Sequence, residues 1–333
     1  MKKILLFALL MQAVAFTSCS SSTAEGRQGW DEDRPALHGN VSSVTISEYR
    51  LKSAFGEIVK GNLKEKYLYQ FNKRGDVVEK AQFLYNGSLN RKWLFKYSSD
   101  DQLVEVAKYD RRGALLDKIQ NKYDKAGRKI ELSTFTSRGT LSKKDNYKYD
   151  KEGNLVAEIS YKADGSQAKS IAYKYSEGKL VEGNKLDIDG LVLNRWVYTY
   201  NAVGQETEYA EYDKDGNMGK KQIYTYDAAG NAIEKLVYKN EELLSKETYK
   251  YDKDGNLIES AYMKGDGVMD RKSQYKYNSN KQLVELVEFK GDGVIKSVQQ
   301  WKYDNAGNVL ECKTFKGEAM APESVTEYAI IYR

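Results

Sequence analysis

The chain has 333 residues, a formal net charge of +5, 30% charged and 41% hydrophobic residues, with 27 Tyr, 26 Gly, 2 Pro and 1 His. It is too aromatic for disorder and too polar for a thick two-sheet core, and its evenly mixed Lys and Glu form no basic patch suited to nucleic acid. A lone His excludes His-ligated zinc and the usual His-based triads.

At the N-terminus, Lys2 and Lys3 precede an apolar run from Ile4 to Phe16, followed by Thr17-Ser18-Cys19. The run is short for a bilayer span, and small residues before a Cys form a bacterial lipobox, although Phe16 departs from its usual aliphatic residue. The segment therefore predicts a signal peptide over 1–18, an acylated Cys19 as lipid attachment, and a flexible tether over 19–43. Loss of Lys2 and Lys3 lowers the net charge to +3. The expected compartment is the cell envelope, with the chain anchored in the outer membrane on its surface or periplasmic face and the bilayer as partner through Cys19. His38, in the pre-repeat segment, reads as an exposed or capping residue.

From about residue 44 to 333 the chain repeats one sentence ten times, anchored at Phe71, Tyr97, Tyr123, Tyr149, Tyr175, Tyr200, Tyr226, Tyr251, Tyr277 and Tyr303, with spacings of 25 or 26 residues. Such a period marks an array of supersecondary units that bury their apolar sides only together. The unit, clearest in Tyr249 to Glu259, reads strand, turn, strand, because Asp/Asn/Gly clusters flanked by alternating Tyr and β-branched residues form hairpins. Pairing that sets Lys250 opposite Glu259 and Tyr251 opposite Ile258 predicts a Lys/Glu ladder on one face, continued at Lys148, Lys276 and Lys302, and a Tyr- and aliphatic-rich face on the other.

A second aromatic follows each anchor by about twelve residues, at Phe83, Tyr109, Phe135, Tyr161, Tyr212, Tyr238, Phe289 and Phe315, usually before another turn. Strict alternation puts it on the Lys/Glu side unless a bulge intervenes. The expected fold is all-β: an antiparallel hairpin meander of about twenty strands in an elongated, twisted or spiralling sheet, closure being undecided. Pro35 precedes the first strand, and Ser324 to Tyr332 reads as a closing strand.

No catalytic constellation stands above the repeats. Every ladder Glu has the same Lys neighbour in unit after unit, whereas a catalytic carboxylate should break the pattern. Asp213-Lys-Asp-Gly-Asn217 and Asp252-Lys-Asp-Gly-Asn256 begin like calcium loops, but the Gly comes too early and no bidentate acid follows, so turn chemistry is expected and no metal or cofactor. Cys312 reads as a small apolar filler.

The motif Tyr-x-Tyr-Asp-x-x-Gly-Asn-Leu, ten times in phase over 45–333, resembles the YD repeat of the RHS family of bacterial surface and toxin-delivery proteins. That resemblance implies a β-strand spiral. The period is longer than the usual YD unit, and the core-terminating signature and toxin domain are missing, so the lipobox and short length look more like Bacteroidetes repeat lipoproteins.

The expected function is a non-enzymatic, anchored repeat module whose Tyr-rich surface binds a polysaccharide or an envelope or surface protein. A purely structural envelope scaffold is the alternative; a carboxylate-based glycan-active enzyme and a fragment of a toxin shell follow behind. Units that break the consensus mark the candidate ligand surface: Trp93, Trp196 and Trp301, with Tyr198 and Tyr200 beside Trp196.

Overall fold

The structure, a computed structural model, describes residues 35–333. The signal peptide, Cys19 and most of the tether lie outside the described residues.

Among the described residues there are 22 strands and no helix. They are β1 (Val41–Ala54), β2 (Glu57–Phe71), β3 (Val77–Phe83), β4 (Leu89–Tyr97), β5 (Leu103–Asp110), β6 (Leu115–Tyr123), β7 (Lys129–Thr136), β8 (Leu141–Tyr149), β9 (Leu155–Lys162), β10 (Gln167–Ser176) and β11 (Lys179–Leu186). The second half holds β12 (Val192–Tyr200), β13 (Glu206–Asp213), β14 (Met218–Tyr226), β15 (Ala232–Lys239), β16 (Glu242–Tyr251), β17 (Leu257–Lys264), β18 (Met269–Tyr277), β19 (Leu283–Lys290), β20 (Ile295–Tyr303), β21 (Val309–Lys316) and β22 (Ala321–Tyr332).

Each strand pairs antiparallel with the next, and β22 pairs with β1, so the meander closes into a barrel. The first strand, whose partner was undecided from sequence, is paired on both sides within the chain: Val44 lies opposite Tyr69 of β2 and Ile330 of β22. Closure removes both sheet edges. With strands about 4.8 Å apart and tilted as in other barrels, a circular section would be roughly 40 Å across, too wide for side chains to fill.

The turns explain why this sequence makes hairpins. Asp252 N–H donates to the Asn256 carbonyl (2.9 Å) and Gly255 N–H to the Asp252 carbonyl (3.1 Å), giving a three-residue loop with Gly255 left-handed at φ +81°. One Asp252 carboxylate oxygen accepts N–H bonds from Asp254 and Asn256, and the other accepts from the Asn256 amide. Those oxygens are committed to the turn, which is the chemistry expected in place of a calcium loop. Two of the ten turns lack Gly, and there Asp101 (φ +67°) and Lys281 (φ +60°) take the left-handed position. At the other end of the barrel Lys264 and Val268 close the same kind of loop around Gly267, so the unit is two half-repeats.

The register differs from the sequence reading in one respect. Lys250 does face Glu259, but Tyr251 pairs with Leu257, and Ile258 is bulged out of the ladder and 38% exposed. The bulge moves the inward contact by one residue, so Leu257, at 3% exposure, packs where Ile258 was expected. On the outer face the ladder forms as Lys96–Glu105 (2.8 Å), Lys122–Glu131 (2.9 Å), Lys250–Glu259 (2.8 Å) and Lys302–Glu311 (3.0 Å). Lys148 is an exception, since it faces Ala157.

The second aromatics lie on the ladder face, each a cross-strand partner of a residue there. Lys66, Lys118, Lys144 and Lys272 hold their ammonium groups 5.0–5.2 Å from the rings of Phe83, Phe135, Tyr161 and Phe289.

The opposite, Tyr-rich face is the concave one. Its mid-strand Tyr147 and Tyr198 are pushed up to about 12, chiefly by burial, whereas ladder lysines such as Lys250 are 70% exposed. Eight anchor tyrosines on this face share one bond, each donating its hydroxyl to a carbonyl at the start of a nearby strand. Tyr97 reaches Val77 (2.9 Å), Tyr123 reaches Leu103 (2.8 Å), Tyr226 reaches Glu206 (2.6 Å) and Tyr303 reaches Leu283 (2.6 Å). Tyr149, Tyr200, Tyr251 and Tyr277 do the same with Lys129, Leu180, Ala232 and Leu257. These bonds link successive turns around one rim.

Two apolar clusters line the inner face. One contains Val41, Val44, Tyr69, Phe71, Val77, Trp93, Phe95, Leu103, Val106 and Ile119, and the other Leu257, Tyr275, Leu283, Leu286, Trp301 and Cys312. Cys312 is fully buried opposite Trp301. The N-terminal segment is tied to the same rim: His38 N–H donates to Asn308 Oδ1 (2.6 Å), and its carbonyl accepts from Asn308 Nδ2 (2.9 Å).

Candidate binding surface

The inner wall between the two clusters, over β8 to β16, has a different chemistry. At the ladder position that holds Val106 in β5, it carries Glu158, Gly183, Tyr209 and Lys235. At the position of Phe95 it carries Tyr147, Tyr173, Tyr198, Tyr224 and Tyr249. Tyr173 donates to Glu158 (2.8 Å) and Tyr249 to Glu247 (2.7 Å), while the Tyr209 hydroxyl bonds to Glu211. Burial, followed by these carboxylates, raises all three phenols well above their ordinary value.

Three of the five residues singled out by sequence meet here. Trp196, Tyr198 and Tyr200 lie along the inner face of β12, all partly exposed. The Tyr198 ring is 5.1 Å from Tyr209, and the Trp196 indole meets Tyr173 edge-on with centroids 6.4 Å apart. Tyr200 is held at the rim by its bond to the Leu180 carbonyl (2.7 Å) and is pushed up to about 12 by burial and then by Glu206.

Trp93 and Trp301 are elsewhere. They lie in the two apolar clusters on β4 and β20, at 8% and 9% exposure, and Trp93 has the ammonium groups of Lys80 and Lys108 at 5.4 and 5.7 Å from its ring. They serve packing and do not join Trp196 in one surface.

Two residues that sequence reading passed over belong to this wall. Gly183 is the cross-strand partner of Trp196 and is buried beneath its indole; a Cβ there would overlap the ring. Glu206 stands at a position that is aliphatic in eight of the ten units, from Val77 to Val309. Burial raises its carboxyl above the ordinary value, opposed by Lys235. Both were legible as breaks in the repeat, but only once the bulge had fixed which positions correspond.

The outer face has a groove of about 740 Å³ beside the projecting end of the β1–β2 hairpin, with Lys60, Lys302, Glu311, Phe315, Val325 and Glu327 among its walls. Lys60 is paired with Glu327 (2.8 Å) and Lys302 with Glu311 (3.0 Å), so its charges are matched within the protein. Among the described residues, no group of three or more His, Cys, Asp or Glu is placed to hold a metal ion.

Comparison with known proteins adds little to this geometry. A family model described only as an uncharacterised protein matches residues 189–306. No curated protein matches the chain. Among solved structures it is similar to the toxin complex TcdB2-TccC3, at 12% identity over 79% of this chain and 20% of that one, with a TM-score of 0.35. It is also similar to a porin-like protein from Bacteroides uniformis, at 9% identity over 89% of this chain and 98% of that one, with a TM-score of 0.29. The chain thus spans about a fifth of the length of the toxin-complex chain. At these scores neither likeness bears on function.

Proposed function

We propose that the protein is a lipid-anchored, non-enzymatic binding module of the bacterial envelope that takes a polysaccharide against the inner wall of its barrel. The observation that carries this reading is the arc from β8 to β16. There the aromatic rings are partly exposed and interleaved with Glu and Lys, and only at the β16 end, at Tyr249 and Tyr251, do they pack against an apolar cluster. Flat aromatic faces beside charged hydrogen-bonding groups suit sugar rings with their apolar faces and hydroxyl rims. Repetition of such positions around the wall suits a polymer. The lipobox at Cys19 supports the anchor, and the YD-type repeat fits an envelope protein.

Affinity electrophoresis of the purified chain through gels carrying neutral polysaccharides tests the reading; retardation by at least one is expected, and free migration through all would overturn it. Protease accessibility on intact cells, with Cys19→Ala as control, tests the anchor and its face. A scaffold role draws support from the anchor tyrosines, whose hydroxyls are spent on carbonyls of nearby strands. In that case the polar arc would show no ligand.

A further inference from the structure

We infer that Trp196, seated on Gly183, is the platform for a single uncharged pyranose ring, with Glu211 and Lys220 as its polar rim. This rests on the polysaccharide reading above and fixes where on the wall the contact is made.

The platform is built by two coincident departures from the repeat. At the Gly183 position the other units carry side chains, from Lys80 and Val106 to Leu286 and Cys312. Only the missing Cβ lets the indole lie down on the strand backbone, which covers one of its faces. Tyr173 closes one side with its ring edge, at an interplanar angle of 69°. The side chain lies on the inner face of β12 and remains only partly buried, so part of the indole is open to a ligand. An aromatic ring immobilised in this way loses little freedom when a ligand stacks on it.

Polar groups stand on the two strands that follow, β13 and β14. Glu211 is the cross-strand partner of Trp196, and Lys220 is the partner of Glu211. The Tyr209 hydroxyl orients Glu211, and the Lys220 ammonium lies 6.0 Å from the Tyr209 ring. A carboxylate and an ammonium side by side bind vicinal hydroxyls, one accepting and one donating, and leave no net charge to attract an ionic ligand. The axial C–H groups of a pyranose would rest on the indole while its equatorial hydroxyls reach the Glu211–Lys220 edge. A quaternary ammonium ligand would need several aromatic faces converging on a hollow. Here one indole is seated on a glycine with a single ring beside it, which favours the sugar.

The test is titration of the purified full chain with neutral glucan, mannan and chitin oligosaccharides, and with choline, followed by calorimetry. One oligosaccharide should bind, and Trp196→Ala should weaken it about tenfold to a hundredfold, as truncation of a central aromatic anchor does. Gly183→Val should weaken it comparably by lifting an intact indole off its seat. To guard against misfolding of the variants, the unaltered chain labelled with 5-fluorotryptophan should show the Trp196 resonance moving on binding while those of Trp93 and Trp301 stay in place.

Oligosaccharide binding with Trp196 unaffected in both experiments would overturn the platform and leave the polysaccharide reading standing. No oligosaccharide binding at all would overturn both, and binding of choline alone would replace the sugar by a cation.

Discussion

The arc of wall from β22 through β1 to β6 and the arc from β8 to β16 are made from the same repeat, with the same kind of turn and, Phe71 apart, tyrosine anchors, yet their inner faces differ. In the first, Val44 (0% exposed), Val106 (2%), Trp93 (8%) and Phe95 (9%) pack against one another. In the second, the corresponding ladder positions hold Glu158, Tyr209, Asp145, Trp196, Tyr147 and Tyr198. The turns and the rim of tyrosine-to-carbonyl bonds run through both arcs, so the mid-strand inner positions can be spent on packing in one arc and left to solvent or ligand in the other.

The largest expected difference between the arcs is in stability. Trp93→Ala should cost about 3–5 kcal/mol, as removal of a packed aromatic does. Trp196→Ala should cost about 1 kcal/mol, since its indole is partly exposed and rests on a glycine. Urea midpoints of the two variants check this, and equal shifts would mean that the second arc is packed as tightly as the first. The next effect should be the same in both arcs. Tyr123→Phe and Tyr226→Phe each delete a hydroxyl bond to a carbonyl, of 2.8 and 2.6 Å, and each should cost about 1 kcal/mol. A much larger loss at one of them would show that the anchor bonds are not a common scaffold.

How much of this the sequence disclosed follows from the range over which each feature is decided. The turns are set by a handful of adjacent residues, and Asp252 to Asn256 could be read directly. The Lys/Glu ladder was legible because a cross-strand pair is a fixed offset from a turn. The bulge was not, because Leu257 and Ile258 are equally apolar and only the closed wall distinguishes the buried one from the exposed one. Closure itself depends on β1 meeting β22, residues nearly 300 positions apart that no local period specifies. At the candidate surface, Trp196 was visible as a deviation, but Trp93 and Trp301 deviate as much and are packed. What separates them is the neighbour across the ladder, Gly183 against Lys80 beside Trp93 and Cys312 beside Trp301, which is a property of register.

A smaller effect concerns the outer face, which both arcs share. A double-mutant cycle on Lys250 and Glu259 should return a coupling of about 0.2–1 kcal/mol at low salt that fades at high salt, since Lys250 is 70% exposed. A coupling that survived high salt would mean the ladder is shielded, contrary to its placement on the convex side.

The smallest effect discriminates most finely between a filled and a wet inner wall, through its dependence on pH. Burial raises the folded-state carboxyl of Glu206 above its ordinary value. The stability that goes with that raised value is fully present below the unfolded pKa and is lost as pH rises through the folded one. Ladder glutamates have the opposite sign: Lys250 holds Glu259 below its ordinary value, so that contribution is present at neutral pH and lost on acidification. Glu206→Gln should therefore be more stable than the parent at neutral pH, with the gap closing as the solution is acidified below the usual Glu range. Glu259→Gln should be less stable at neutral pH, its deficit also closing in acid. Urea midpoints of both variants across that range provide the check. A Glu206→Gln gap that does not change with pH would mean that water solvates the carboxylate fully. The inner wall around Tyr198, Tyr200 and Tyr226 would then lack the desolvation that strengthens a hydrogen bond to a sugar hydroxyl.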